Sequence, residues 1–248
     1  MRRVKWLYAL AVMLLCLAPM QARRLRLMTY NIHHAEGMDG WYAPERIAQV
    51  ISEDEPDVVA LQEVDSASRR VGGHYVAGDI ARHLGMHATF AGAIPLQGGK
   101  YGIALLSRTA PRTVQRIPLP GREEERALLI ADFGHYVVCC THLSLTEADR
   151  LQSVPLMRKA LRRYRRKPVF IMGDFNDTPQ SALLRQMGRH FQVLTSQATP
   201  TYPYDQPSDV IDYIITRRGT SEPRAVRSHM VVGNGASDHC PVMVEVEY

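Results

Sequence analysis

The sequence predicts a mixed α/β fold, and two observations carry that prediction. From Leu25 onward, short apolar runs alternate with segments of helical periodicity, the pattern of layered strands and helices. The chain has 248 residues, 46% of them hydrophobic, which suits one globular domain whose core needs no covalent staples. No short-period repeat or low-complexity linker divides it.

The first segment, MRRVKWLYALAVMLLCLAPMQA, places Arg2, Arg3 and Lys5 before an apolar stretch from Trp6 to Leu17, followed by Pro19 and small residues. That is the layout of a secretory signal peptide over 1–22, cut after Ala22, with the mature domain over 23–248 and export to the periplasm or beyond. The apolar stretch is shorter than the roughly 20 residues that a membrane span needs, so no stable span is expected. Leu14 and Leu15 before Cys16 are bulky where a lipidation site needs small residues.

The elements then follow in order. Leu25–Tyr30 reads as a first strand. Pro44–Asp54 reads as a helix with Pro in its first turn and Ile47, Val50 and Ile51 on one face. Asp57–Gln62 is a second buried strand, and Asp79–Leu84 a short helix stopped by Gly85. Ile103–Ser107, Ala127–Ala131 and Tyr136–Thr141 are further strands. A helix starts at Thr146, with Asp149 three residues on, and keeps its spacing through Leu151, Val154, Met157, Leu161 and Tyr164; Pro155 should kink or interrupt it. A strand over 168–172, a helix opened by Thr178-Pro179, and strands over Val210–Thr216 and Pro241–Val246 complete the chain.

Charge and cysteine content narrow the partners. The formal net charge is +5, but without the leader's three cations the remaining 27 Lys+Arg face 25 Asp+Glu, leaving +2. Net charge therefore shows no strong nucleic-acid footprint. The five cations in Arg162–Lys167 are read as complements to the C-terminal dipole of the preceding helix. Cys139, Cys140 and Cys240 have no metal-binding spacing; adjacent strand residues face opposite ways, so at most one of Cys139 and Cys140 pairs easily with Cys240.

Five apolar runs end on polar residues suited to chemistry: Thr29-Tyr30-Asn31, Leu61-Gln62-Glu63, Thr141-His142-Leu143-Ser144, Gly173-Asp174-Phe175-Asn176-Asp177 and Ser237-Asp238-His239-Cys240-Pro241. Functional groups of α/β proteins gather where strands finish. In a strand, positions i and i+2 share a face, so Asp174 and Asn176 aim at one spot. Each residue alone has an ordinary structural role: Asn31 or Asp174 in a turn, Glu63 on a solvated end, His142 as a core hydrogen-bonder, Asp212 as a cap. Together they offer carboxylates and amide oxygens for a hard cation plus two histidines, without a thiolate set for zinc. Metal-assisted hydrolysis of phosphate esters needs that mixture.

The ordered motifs Tyr30-Asn31, Gln62-Glu63, Thr141-His142-Leu143, Gly173-Asp174-Phe175-Asn176, Ile211-Asp212-Tyr213-Ile214 and Ser237-Asp238-His239-Cys240-Pro241 resemble the endonuclease/exonuclease/phosphatase superfamily, across essentially the whole mature chain. Tyr-Asn-Ile-His-His with the short helix after Pro44 is similar to its branch of small exported metal-dependent hydrolases. The resemblance implies a four-layer α/β/β/α sandwich, two facing mixed sheets with helices outside, and one active site at the top of the sheets. It implies Mg²⁺, or Mn²⁺, held by Glu63 with Asn31 beside it and Asp238 completing the shell. His239 is then the base for the attacking water, Asp212 orients it, Asp174 and Asn176 position water and phosphoryl oxygens, and His142 donates to a phosphate oxygen.

Two positions depart from the family pattern: nuclease members commonly carry a small acidic or polar residue near His33, and many relatives have a basic residue at Val210. His33 and Arg126 remain candidate substrate contacts, Arg126 with an exposed ion pair to the glutamates at 123–125 as its alternative role. The expected substrate is a phosphodiester or phosphomonoester: a nucleic acid, a lipid headgroup or a small ester. The near-neutral mature chain, expected to be a monomer, favours the smaller kind. A catalytically inactive binding or effector module is the competing reading; the complete set of functional groups argues against it.

Overall fold

The computed structural model describes residues 22–219, 222–232 and 234–248. The leader assigned to 1–22 lies outside the described residues, apart from Ala22. The elements are β1 Arg24–Asn31, α1 Pro44–Ser52, β2 Val58–Ser66, α2 Val76–Leu84, β3 His87–Leu96, β4 Gly99–Ser107, β5 Thr113–Leu119, β6 Arg126–Asp132, β7 Val137–His142, α3 Glu147–Leu161, β8 Val169–Asp174, α4 Ala182–Gly188, β9 Phe191–Val193, β10 Asp212–Arg217, β11 Arg224–Met230 and β12 Val242–Glu247.

They form two six-stranded sheets, ordered β11-β12-β1-β2-β4-β3 and β5-β6-β7-β8-β10-β9. Both are mixed: β1 and β2 pair in parallel, as do β7 and β8, and the other pairs are antiparallel. Strand alternation sorts the apolar residues into three layers of packing. Leu27, Val58, Ala60 and Leu105 of the first sheet meet Leu129, Val138, Cys140, Phe170, Met172 and Ile214 of the second. The opposite faces pack outward, Met28, Val59 and Leu61 under α1 and α2, and Cys139, Val169 and Ile171 under α3 and α4. The result is the expected four-layer α/β/β/α sandwich.

The four sheet edges, β3, β5, β9 and β11, are the strands that apolar periodicity did not predict. An edge strand need not be apolar on both faces; β5 and β11 are largely exposed. The interior strands, buried on both sides, read as continuous apolar runs.

The structure refines three helix expectations. Pro155 does not interrupt α3, which runs through it from 147 to 161. Pro155 is exposed, so the carbonyl that loses its partner lies on the solvent side, where bending is cheap. α3 starts as expected after Thr146, its N-cap residue, but the capping box does not form: the Thr146 hydroxyl donates to Glu123 Oε2 at 3.4 Å and the Asp149 carboxylate accepts from Arg122. Thr178-Pro179 forms a turn; α4 starts after Ser181, whose hydroxyl accepts from the Leu184 N–H. Cys139 and Cys140 are buried free thiols on opposite faces of β7, so neither makes the disulfide that the spacing allowed. No helix among the described residues is long and apolar enough to cross a membrane.

Candidate active site

Four expected residues occupy the inward-facing phase of their strands, one step beyond the apolar layer between the sheets. Asn31 follows Leu27 and Thr29, His142 follows Val138 and Cys140, Asp174 follows Phe170 and Met172, and Asp212 precedes Ile214. Alternation therefore carries all four side chains to the same end of the inter-sheet layer, and all four are buried. Below them, Thr29 donates to Gln62, and Gln62 donates to Cys140 Sγ, a polar step between site and core.

Glu63 arrives differently. Its odd-numbered phase, shared with Val59 and Leu61, would turn it outward. The register of β2 against β4 shifts between Leu61 and Val64, and Glu63 takes a left-handed φ of 57°. The bulge swings Glu63 inward, where its carboxylate accepts from Asn31 Nδ2 at 3.1 Å, and returns Val64 to the outer face. A non-glycine residue held at such a φ costs of order 1–3 kcal/mol, which marks the position as constrained by its surroundings.

The Asn31 amide bridges two carboxylates, donating also to Asp174 Oδ2 at 3.1 Å. Asp174 Oδ1 accepts from the Asn176 N–H at 2.8 Å, and Asn176 donates through Nδ2 to the Leu143 carbonyl at 2.9 Å. Asn176 thus reaches the site by a turn at φ 51° and not by continuing the strand phase of Asp174. His142 Nε2 lies 3.5 Å from Asp174 Oδ2. His239, on the segment before β12, donates from Nδ1 to Asp212 Oδ2 at 2.9 Å, and its Nε2 lies 3.8 Å from Asp174 Oδ2. Glu63, His142, Asp174, Asn176, Asp238 and His239 line one groove of about 540 Å³.

Burial and neighbouring charge set the protonation states. Burial opposes charge on His239, but Asp212, Asp174 and Asp238 more than offset it and raise its pKa to about 10. Burial, then Asp212, lifts the Asp174 carboxyl to about 7 against the opposing pull of His239. Burial, aided by Arg126 and His239, pushes His142 well below its ordinary value, so it is neutral. One groove thus holds a neutral imidazole that can donate a hydrogen bond and a charged one oriented by a carboxylate.

The donor set fits a hard divalent cation. Glu63, Asp174 and Asp238 present carboxylates to one groove beside Glu123 and Glu124, which pair with Arg126, and buried Asp212 Oδ1 has no hydrogen-bond partner among the described residues. Asp174, Asp212 and His239 also present ligand atoms within 4.8 Å of one another, an arrangement able to hold a metal. The Asn31 oxygen accepts from the His33 N–H at 3.2 Å, so in this geometry its amide serves first as a tie between carboxylates.

The two candidate substrate contacts separate. Arg126 lines the groove, and its ion pairs with Glu124 at 2.7 Å and Glu123 at 3.7 Å leave it buried, where an exposed pair was the expected alternative. His33 is not part of the groove lining; its Nδ1 faces the Glu36 carbonyl at 3.1 Å. Residues not singled out from the sequence complete the site. Thr201 Oγ1 donates to Asp212 Oδ2 at 2.6 Å, and the Tyr202 ring packs 4.7 Å from the His239 ring. Tyr101 lines the groove beside Glu63, and burial raises its phenol pKa beyond the ordinary range. Thr201 and Tyr202 lie in an irregular loop without periodicity, so no local signal points to them.

Comparison with known proteins agrees with this geometry. The model of the Endonuclease/Exonuclease/phosphatase family matches residues 28–239. Exodeoxyribonuclease III of Haemophilus influenzae is 28% identical over 170 residues, 62% of this chain and 58% of the relative, so the match spans little over half of that enzyme. Among solved structures, a family protein from Beutenbergia cavernae superposes with TM-score 0.70 at 24% identity, over 91% of this chain and 72% of that one. The Bacteroides thetaiotaomicron mannosyl-6-phosphatase Bt3783 gives 0.72 at 18% identity, over 90% and 100%. With the family match covering most of its length, and a two-sheet sandwich presenting polar strand ends in one groove, this chain belongs to the endonuclease/exonuclease/phosphatase family, whose members are hydrolases acting on phosphoesters.

Proposed function

We propose that this protein is a Mg²⁺-dependent phosphodiesterase or phosphatase, with Mn²⁺ able to substitute, exported as a monomer behind the 1–22 leader. The single observation that carries the reading is the buried His239–Asp212 pair, 2.9 Å apart, facing the same groove as Glu63, Asp174 and His142.

Asp212 fixes the His239 ring and Thr201 fixes Asp212, so Nε2 faces the groove and is the atom that takes the proton of an attacking water. Of the carboxylates that hold a proton on His239 at neutral pH, Asp212, Asp174 and Asp238, the last is also a ligand proposed for the cation, together with Glu63 and with Asn31 beside them. Glu63, Asp238 and Asn31 would hold a divalent cation, whose positive charge would offset the field of the neighbouring carboxylates on His239, lower the imidazolium pKa and polarise a phosphoryl oxygen. Neutral His142 donates to a non-bridging oxygen as charge develops on the phosphate, and Asp174 and Asn176 position water and phosphoryl oxygens. Arg126, at the groove wall, contributes a fixed positive charge toward the same anion.

The test is a panel: the mature protein with Mg²⁺ or Mn²⁺ against plasmid DNA, a sphingomyelin-type lipid, inositol phosphates, a sugar phosphate and a chromogenic phosphodiester, with His239→Ala as control. Metal-dependent turnover of at least one substrate, lost in the variant, supports the reading. Equal rates in both proteins, or no turnover of any substrate with either metal, would overturn it.

A further inference from the structure

The end of the molecule opposite the hydrolytic groove carries a second concavity of about 680 Å³, in the size range of small-molecule sites. It is built where α3 and α4 end and β10 leaves its sheet. Because β10 has Asp212 at one end and Arg217 at the other, about five steps of 3.3–3.4 Å separate the two sites, about 17 Å.

The concavity is lined by Arg158, Lys159, Arg162, Arg165 and Arg189, with Arg217 and Arg218 beside them, and by no carboxylate. The sequence explains the imbalance: no Asp or Glu occurs in 150–173 or in 178–204, the stretches that form most of the wall. Complementing helix dipoles accounts for only part of this charge. Arg217 donates to the carbonyls of Leu161, Tyr164 and Lys167, and Arg218 to that of Gly188, so the helix ends already have partners. The other five cations have no carboxylate within ion-pair distance among the described residues. His190, on the same wall, has its pKa lowered by desolvation and then by Arg158 and Arg189, as expected where positive potential is concentrated. Pro155, Leu161 and Phe191 add an apolar surface to the lining.

We infer that this concavity is a binding site for a compact ligand carrying two or more phosphate groups, distinct from the hydrolytic groove. Five unpaired cations around one hollow repel one another; a polyphosphate oxygen cluster relieves that repulsion through charge-assisted hydrogen bonds, and arginine forks match phosphate geometry. The volume favours a small ligand over a polymer, and the apolar wall accommodates its carbon part.

The test uses the mature protein with metal chelated, inorganic tripolyphosphate as the probe, and isothermal titration calorimetry at about 0.15 M salt, where weak surface attraction is screened. Saturable binding at one site per chain is expected. The exposed double variants Arg162→Glu/Arg189→Glu and Lys159→Glu/Arg165→Glu should each weaken it at least tenfold, and Arg227→Glu on β11 should leave it unchanged. His239→Ala should bind as the wild type does, which keeps this result independent of the proposed hydrolysis. No saturable binding, binding unchanged in both double variants, loss of binding in His239→Ala, or binding of a single-stranded oligonucleotide but not of tripolyphosphate would each overturn the inference.

Discussion

Asp212 receives His239 Nδ1 and Thr201 Oγ1 on the same carboxylate oxygen, at 2.9 and 2.6 Å, while all three residues are buried. Two donors on one oxygen leave Asp212 a single productive orientation, and through it the imidazole plane is fixed. His239→Ala should lower turnover by about 10²–10⁴ or more, the usual worth of general-base help. Asp212→Asn should fall in the same range. Steady-state rates on a chromogenic phosphodiester check both, with circular dichroism showing that the fold is kept.

The pH dependence of the metal-free protein has a definite sign. His239 is raised above its unfolded value, so its contribution to stability is complete below about pH 6.5 and is lost as pH rises toward about 10. Asp174 is also raised, to about 7, so burying it as an anion costs stability as pH rises from about 4 to 7. Both effects run the same way. Thermal melts in chelator should show Tm falling from pH 7 to pH 10, with a shallower slope in His239→Gln; an imidazole NMR titration should place the His239 transition near the alkaline end. Tm rising over that interval would contradict the assignment.

The bulge that turns Glu63 inward should show a conflict between stability and function. Glu63→Gly removes the side chain and tolerates φ 57°, whereas Glu63→Ala keeps the backbone strain. Urea denaturation should find the Gly variant more stable than the Ala variant by about 1 kcal/mol. Both should lose metal-dependent activity.

Gly173 precedes Asp174 where β8 passes β7, and a Cβ there would collide with the Thr141 carbonyl oxygen. Backbone on backbone has no flexible end to move aside. Gly173→Ala should destabilise by about 1–3 kcal/mol and, by shifting Asp174 against His142, reduce turnover. Chemical denaturation and single-turnover rates read the two effects separately.

Removing one partner of the Arg126–Glu124 pair should show its burial. Arg126→Met leaves Glu124 and Glu123 facing the groove without their cation, at a cost of about 3 kcal/mol for a strongly buried pair, and less here because both glutamates are about a quarter exposed. A calorimetric Tm change as small as that of a surface substitution would argue against this role.

The sequence by itself determined the interior of this protein: strands with apolar residues on both faces, and polar residues where those strands stop. Asn31, His142, Asp174 and Asp212 were legible because the period of two that buries their neighbours also carries them to the inter-sheet face. Tertiary structure alone decided the rest. The four edge strands lack a doubly buried pattern, so pairing with a neighbour defines them. Glu63 reaches the site only through a register shift that no local spacing encodes. Thr201, Tyr202 and buried Arg126 come from segments whose role depends on what folds against them, and the unpaired cations beyond β10 gather only when two helix ends and a strand end meet. Periodicity is local and can be read along the chain; convergence of distant segments becomes visible only in the folded molecule.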